Sequence, residues 1–138
     1  MRAASIWLVV FFASLLRTSA AQPETGCGRP CREHPHLSGA CFTIRGRMTY
    51  HNGAPSVRIW RVGTKRILGV SEQRFHVDGY CDLPTSIRER LSWESDLFAE
   101  FVVCPFTPEA PGVMQLVCVD SAAHLRVEPR KPDQAAQQ

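Results

Sequence analysis

Residues 42–70 read FTIRGRMTYHNGAPSVRIWRVGTKRILGV, from Phe42 to Val70, and this stretch decides the fold. Phe42, Ile44, Met48 and Tyr50 share one parity with Gly46 between them, while Thr43, Arg45, Arg47 and Thr49 hold the other. That is the period of two of a strand buried on one side. Gly46 in such a run marks a bulge or a close approach by another backbone. Asn52-Gly53 suits the positive φ angles of a tight reversal, and Pro55 stiffens the exit. From Val57 to Val62 one face carries Val57, Ile59 and Arg61 and the other Arg58, Trp60 and Val62. Trp60 is therefore expected to be partly buried, with Arg58 or an arginine of the neighbouring strand stacked over its ring. Beyond Gly63-Thr64-Lys65-Arg66, Ile67 to Val70 completes a three-strand antiparallel meander.

Toward the C-terminus, Phe75-His76-Val77 reads as a fourth short strand. Leu83, Ile87 and Leu91 recur every four residues, Pro84 suits a first helical turn and Asp82 is placed to cap it, which predicts one or two helical turns over an end of the sheet. Leu97 to Phe106 and Val113 to Val119 form an apolar hairpin. The connection Thr107 to Gly112 holds two prolines that stay out of the ladder. Leu125 to Val127 reads as a last strand, and residues 128–138 as a disordered polar tail. The sum is an all-β fold: an antiparallel β-sandwich, immunoglobulin-like or prealbumin-like, of six to seven strands with one short helix, or alternatively a small β-barrel.

Toward the N-terminus, Arg2, the 11-residue apolar run Ile6 to Leu16, and Arg17-Thr18-Ser19-Ala20-Ala21-Gln22 have the form of a secretory signal peptide. The run is too short to span about 30 Å of hydrocarbon. Cleavage is expected after Ala21, with Ala20 as the alternative. This divides the chain into a signal peptide (1–21), a cysteine-rich irregular arm (22–40), a β domain (41–127) and a tail (128–138). No later run approaches membrane-spanning length, so the protein is expected to be secreted or periplasmic.

The whole chain has 16 Lys and Arg against 13 Asp and Glu. Removing Arg2 and Arg17 leaves 14 against 13, so bulk charge selects no partner. Its distribution is more informative. Residues 29–74 hold nine basic and two acidic residues, and residues 75–128 three basic and nine acidic. Either the halves neutralise one another on packing, or a basic face meets polyanions or a second molecule.

Six cysteines, Cys27, Cys31, Cys41, Cys81, Cys104 and Cys118, follow the signal segment. An even number in an exported chain argues for three disulfides. Cys104 with Cys118 is the favoured pair. It is conditional on register, because a six-residue loop places Cys104 opposite Gln115, beyond the reach of about 7 Å between Cα atoms. The remaining cysteines are expected to crosslink the arm.

Catalytic patterns are thin. Cys27-Gly28-Arg29-Pro30-Cys31 has three residues between its cysteines, whereas thiol oxidoreductases use two at a helix N-terminus. His34-Pro35-His36 near Cys31 offers three metal ligands, but the spacing matches no closed site and an oxidised cysteine cannot ligate as a thiolate. His51, His76 and His124 read as surface residues. There is no G-x-S-x-G, no phosphate-cradling glycine loop, and only Glu94, Asp96 and Glu100 as a source of paired carboxylates. The best recognition surface is Arg45, Arg47, Arg58, Arg61, Lys65 and Arg66 with Trp60 and Tyr50. Its plainer reading is a solubilising sheet face.

The residues 46–70, with the block Asp96 to Phe101, Val103-Cys104-Pro105-Phe106 and Gln115 to Val119, resemble a pattern in exported bacterial proteins that brings no activity to transfer. A strand, an Asn-Gly-x-Pro turn and a strand with Ile-Trp more distantly resemble the opening of transthyretin-like secreted sandwiches. That resemblance implies binding of partners or small hydrophobic ligands. The sequence thus points to a disulfide-stapled binding or structural module without cofactor. Its expected partner is an anionic glycan or a protein, not nucleic acid. The alternative is a cell-envelope hydrolase or a metal-binding protein.

Overall fold

The computed structural model describes residues 28–72 and 74–131. The proposed signal peptide, Cys27 and most of the tail lie outside the described residues. The order of elements is a 3-10 turn at Cys31–Glu33, β1 (Phe42–Tyr50), β2 (Val57–Arg61), β3 (Ile67–Val70), a single helical turn α1 (Thr85–Arg88), β4 (Ser95–Pro105) and β5 (Gln115–Pro129).

These strands form one mixed sheet. β1 pairs antiparallel with both β2 and β4, β2 with β3, and β4 with β5, while β3 and β5 run parallel. The pairing circuit β1-β2-β3-β5-β4 returns to β1 and closes into a barrel. The β-rich reading therefore holds. The two separate sheets of a sandwich are not found among the described residues, and the sheet is not wholly antiparallel. The parallel pair arises because the chain leaves β3, crosses through residues 71–94 and the helical turn, and lays β5 beside β3 only after β4 has been placed against β1.

The expected periodicity decides which side chains enter. Ile44 and Met48, Val57 and Ile59, Leu68 and Val70, Leu97, Phe101 and Val103, and Val117 and Val119 are buried in one cluster. Leu83, Ile87 and Leu91 join it, as their spacing predicts. Gly46 is the close-approach glycine: a Cβ there would stand 2.5 Å from Ile59 Cγ2 and 3.0 Å from the Phe101 ring. Glycine lets the wall of the barrel close on these two side chains.

Several sequence expectations are corrected. Phe75 to Val77 is not a strand. The last strand is not separate, because β5 continues from Gln115 to Pro129 through two register shifts against β4. At each shift β5 carries an extra residue, which bends a strand and lets it wrap; His124 at one of them takes φ 54°. Residues 128–130 are not disordered. Pro129 pairs with Ser95, and Arg130 N–H donates to the Glu94 carbonyl at 2.8 Å.

The favoured disulfide is also corrected. Phe106 N–H donates to the Leu116 carbonyl, so the connection between the strands is longer than six residues and Cys104 falls directly opposite Cys118. The register objection disappears, yet the two do not bond. Cys118 pairs with Cys31 and Cys104 with Cys41. Cys81 is disulfide-bonded too. The physical reason lies in the parity of the strands. Cys104, Phe106, Leu116 and Cys118 alternate with barrel-filling residues and so face outward, where they form a second buried cluster with Cys31, Leu37, Cys41 and Phe75. The arm has no core of its own, and its cysteines fasten it over this outer patch. Arg32 adds an anchor: its backbone N–H and its guanidinium both donate to the Asp120 carboxylate.

Candidate functional site

The outward positions of β1, β2 and β4 come together on one face of the barrel. The register builds a single row across the strands. Arg126 on β5 is opposite Phe98 on β4, Phe98 opposite Arg47 on β1, Arg47 opposite Trp60 on β2, and Trp60 opposite Ile67 on β3. Cation and ring alternate along it. The Arg126 guanidinium lies 5.8 Å from the Phe98 centroid, and that of Arg47 5.1 Å from the Trp60 centroid. The expected stacking on Trp60 is present, and the neighbouring-strand arginine supplies it. With strands about 4.8 Å apart, a row across five strands follows roughly 20 Å of curved surface.

Two shallow grooves flank the row. One, of about 370 Å³, is lined by Arg45, Trp60, Val62, Phe98, Glu100, His124 and Arg126, with Gly46 and Ala99 in its wall. The other, of about 400 Å³, is lined by Arg47, Thr49, His51, Arg58, Trp60 and Ile67. They share Trp60.

A buried ion pair fixes the lower margin. Arg130 donates from Nε to Asp96 at 3.0 Å, with side chains only 4% and 7% exposed, and also donates to Thr49 Oγ1 and the Tyr50 carbonyl. Arg47 approaches the other Asp96 oxygen at 3.8 Å. His51 sits among these charges. Its burial, and after that Arg58, Arg130 and Arg47, lower its pKa below the ordinary imidazole value, with Asp96 opposing. Desolvation is the first cause, and the cationic field of this face adds to it.

The seven residues singled out from sequence divide into two groups. Arg45, Arg47, Arg58 and Trp60 share the outer face and line its grooves. Arg61, Lys65 and Arg66 belong to the end of the β2–β3 hairpin and line neither groove. Arg66 is committed elsewhere, since it pairs with Glu109 and donates to Gln115 Oε1 at 2.8 Å. Arg58 keeps one bond inward, from Nε to the Pro55 carbonyl at 3.1 Å. The sequence reading missed Phe98, Arg126 and Arg130, and named Asp96 only among possible paired carboxylates. Phe98 had a signal: an aromatic at the solvent-side parity of an otherwise apolar strand.

Among the described residues the other candidate chemistries are not assembled. Cys31 is oxidised, and His34 is buried with its ring against Tyr80 and Phe106 while Nδ1 accepts the His36 N–H. Cys31 and His34 therefore serve packing, while His36 is exposed. Asp96 is spent on Arg130, and Glu100 faces His124 at 4.0 Å. A further cleft of about 460 Å³ near the helical turn, lined among others by His34, Glu72, His76, Asp82 and Arg88, brings mixed charges together without a repeating pattern. Among the described residues no helix is long and apolar enough to cross a membrane. No protein-family model, curated protein or solved structure matches the chain.

Proposed function

We propose that this is an exported binding module whose outer β4-β1-β2 face takes an anionic glycan laid across the strands. One observation carries the reading: the row Arg126, Phe98, Arg47, Trp60, in which guanidinium groups and aromatic faces alternate at strand spacing. A chain of sugar rings bearing carboxylates or sulfates has the same alternation. Its acidic groups meet planar, always-charged guanidinium forks, and the apolar faces of its rings meet indole and phenyl. The grooves on either side are shallow, which suits a polymer passing through more than a small molecule enclosed.

The finer fold reading agrees. A five-stranded barrel in the order β1-β2-β3-β5-β4, with a helical turn between β3 and β4, has the layout of an OB-type Greek-key barrel. Such barrels bind oligonucleotides and oligosaccharides on the face around strands 2 and 3. This support is analogy of architecture. The cystine framework and the leader-like N-terminal sequence support a location outside the reducing cytoplasm, where acidic polysaccharides are available polyanions.

The test is retention on immobilised heparin at low salt. The wild-type protein is expected to bind and to elute with added salt. Combined Arg45→Ala, Arg47→Ala and Arg126→Ala is expected to abolish retention, while Arg61→Ala with Lys65→Ala changes it little. Unchanged retention of the triple variant refutes the reading.

A further inference from the structure

Cys104 and Cys118 stand directly opposite each other on β4 and β5, yet each is bonded to the arm instead. The Sγ atoms of Cys31, Cys104 and Cys118 all lie within 4.8 Å of one another, so the two disulfides abut. Three of their four cysteines are sealed, at 3%, 0% and 1% exposure for Cys31, Cys104 and Cys118. Cys41 is only partly buried. A thiolate arriving from solvent therefore meets this pair of disulfides at Cys41 first.

We infer that Cys41 is a thiol-reactive site, and that attack on it by a low-molecular-weight thiol converts the Cys31–Cys118 and Cys41–Cys104 bonds into Cys104–Cys118 and Cys31–Cys41. The thiolate forms a bond to Cys41 Sγ as the Cys41–Cys104 bond breaks, and the electron pair leaves on Cys104. Cys104 thiolate then bonds to Cys118 Sγ, and the electron pair leaves on Cys31. Cys31 thiolate attacks Cys41 Sγ in the mixed disulfide and returns the small thiolate to solution. Two disulfides stand at the start and two at the end, no oxidant is consumed, and no proton needs to move.

Position favours the transfer from Cys104 to Cys118. Burial raises a thiol's pKa and makes it inert, but Cys104 is generated already as a thiolate, and Cys118 Sγ is its neighbour. Directly opposed residues of an antiparallel pair have Cα atoms about 4.5 to 5.5 Å apart, inside the span a disulfide bridges. Attack on Cys118 therefore needs no movement of the barrel. In the exchanged form the arm has lost these two ties and keeps others: Arg32 on Asp120, the Ser38 N–H donating to the Pro105 carbonyl at 2.8 Å, the Arg29 N–H donating to the Gly79 carbonyl at 3.0 Å, and the Tyr80 hydroxyl donating to the Glu33 carbonyl at 3.0 Å.

The oxidised full chain is incubated with reduced glutathione, quenched in acid and digested at glutamate, because Glu109 lies between Cys104 and Cys118. Peptide mass mapping is expected to show Cys104–Cys118 and Cys31–Cys41 linkages growing while the original two decline. In a Cys41→Ser variant without added thiol, Cys31 is expected to be the thiol that alkylates, displaced by Cys104. An unreactive Cys41, a stable glutathione adduct at Cys41 with Cys31–Cys118 intact, or a Cys31–Cys104 linkage in the wild-type protein overturns the inference. The wild-type arm does not depend on the variant folding.

Discussion

Arg47 and Trp60 face each other across β1 and β2, with the guanidinium carbon 5.1 Å from the centre of the indole ring. The contact orients the cation and covers part of the ring, and such a pair is worth about 0.5 to 1 kcal/mol at an exposed site. Arg47→Lys keeps the charge and loses the planar stack. It is expected to weaken glycan binding about two- to five-fold, the equivalent of that energy, and to shift Trp60 fluorescence. An Arg47→Lys protein that binds as well as wild type would show that charge alone matters there.

Asp96 and Arg130 make the strongest structural prediction. Removing one partner of a buried ion pair leaves an uncompensated charge and typically costs about 3 to 5 kcal/mol. Asp96→Ala is expected to lose stability on that scale in urea unfolding. Truncation after Pro129 is expected to destabilise as well, although it removes only tail residues. A tail that contributed nothing would leave the unfolding midpoint in place.

Gly46→Val tests the close approach inside the barrel. The added Cβ would overlap Ile59 and Phe101, and overpacking of this kind costs about 1 to 3 kcal/mol. The same change at Gly28, which has nothing within 4 Å of a built Cβ, is expected to be nearly neutral.

Acid is expected to destabilise the fold in two stages. Burial lowers the pKa of His34, and burial with Arg58, Arg130 and Arg47 lowers that of His51. The folded state thus binds these protons less readily than the unfolded chain. Their contribution is full above about pH 6.5 and is lost as pH falls toward the folded values. Asp120 is held below the ordinary carboxylate range, chiefly by its hydrogen bond to Arg32. Its contribution persists above about pH 4 and is lost as pH drops through the folded value. Unfolding midpoints measured against pH should show the lower stage disappear in Asp120→Asn and the upper stage flatten in His51→Asn.

The distance between sequence and structure has identifiable causes. Alternation in Phe42 to Tyr50, the four-residue spacing of Leu83, Ile87 and Leu91, and Gly46 are local patterns, and they were legible. Closure of the strands into a barrel was not, since it depends on β5 lying parallel to β3, a pairing between residues nearly 50 apart in the chain. Cystine pairing failed for a related reason: parity shows Cys104 and Cys118 facing one way without showing what covers them. Within the site, Arg45, Arg47, Arg58 and Trp60 could be read because they share one short hairpin. Arg126 and Arg130 could not, because the shifts in β5 decide where they point, and Arg66 was overcounted because its acceptor Glu109 arrives from a distant loop.

The measurement that tests the proposed binding face most directly is the pKa of His51, followed by NMR with and without a heparin oligosaccharide. Acidic groups seated beside Arg47 and Arg58 offset the part of the His51 shift that these cations cause, so its pKa is expected to rise on binding while that of buried His34 stays put. A bound oligosaccharide that leaves His51 unmoved, or that moves His34 or His76 instead, would contradict the account.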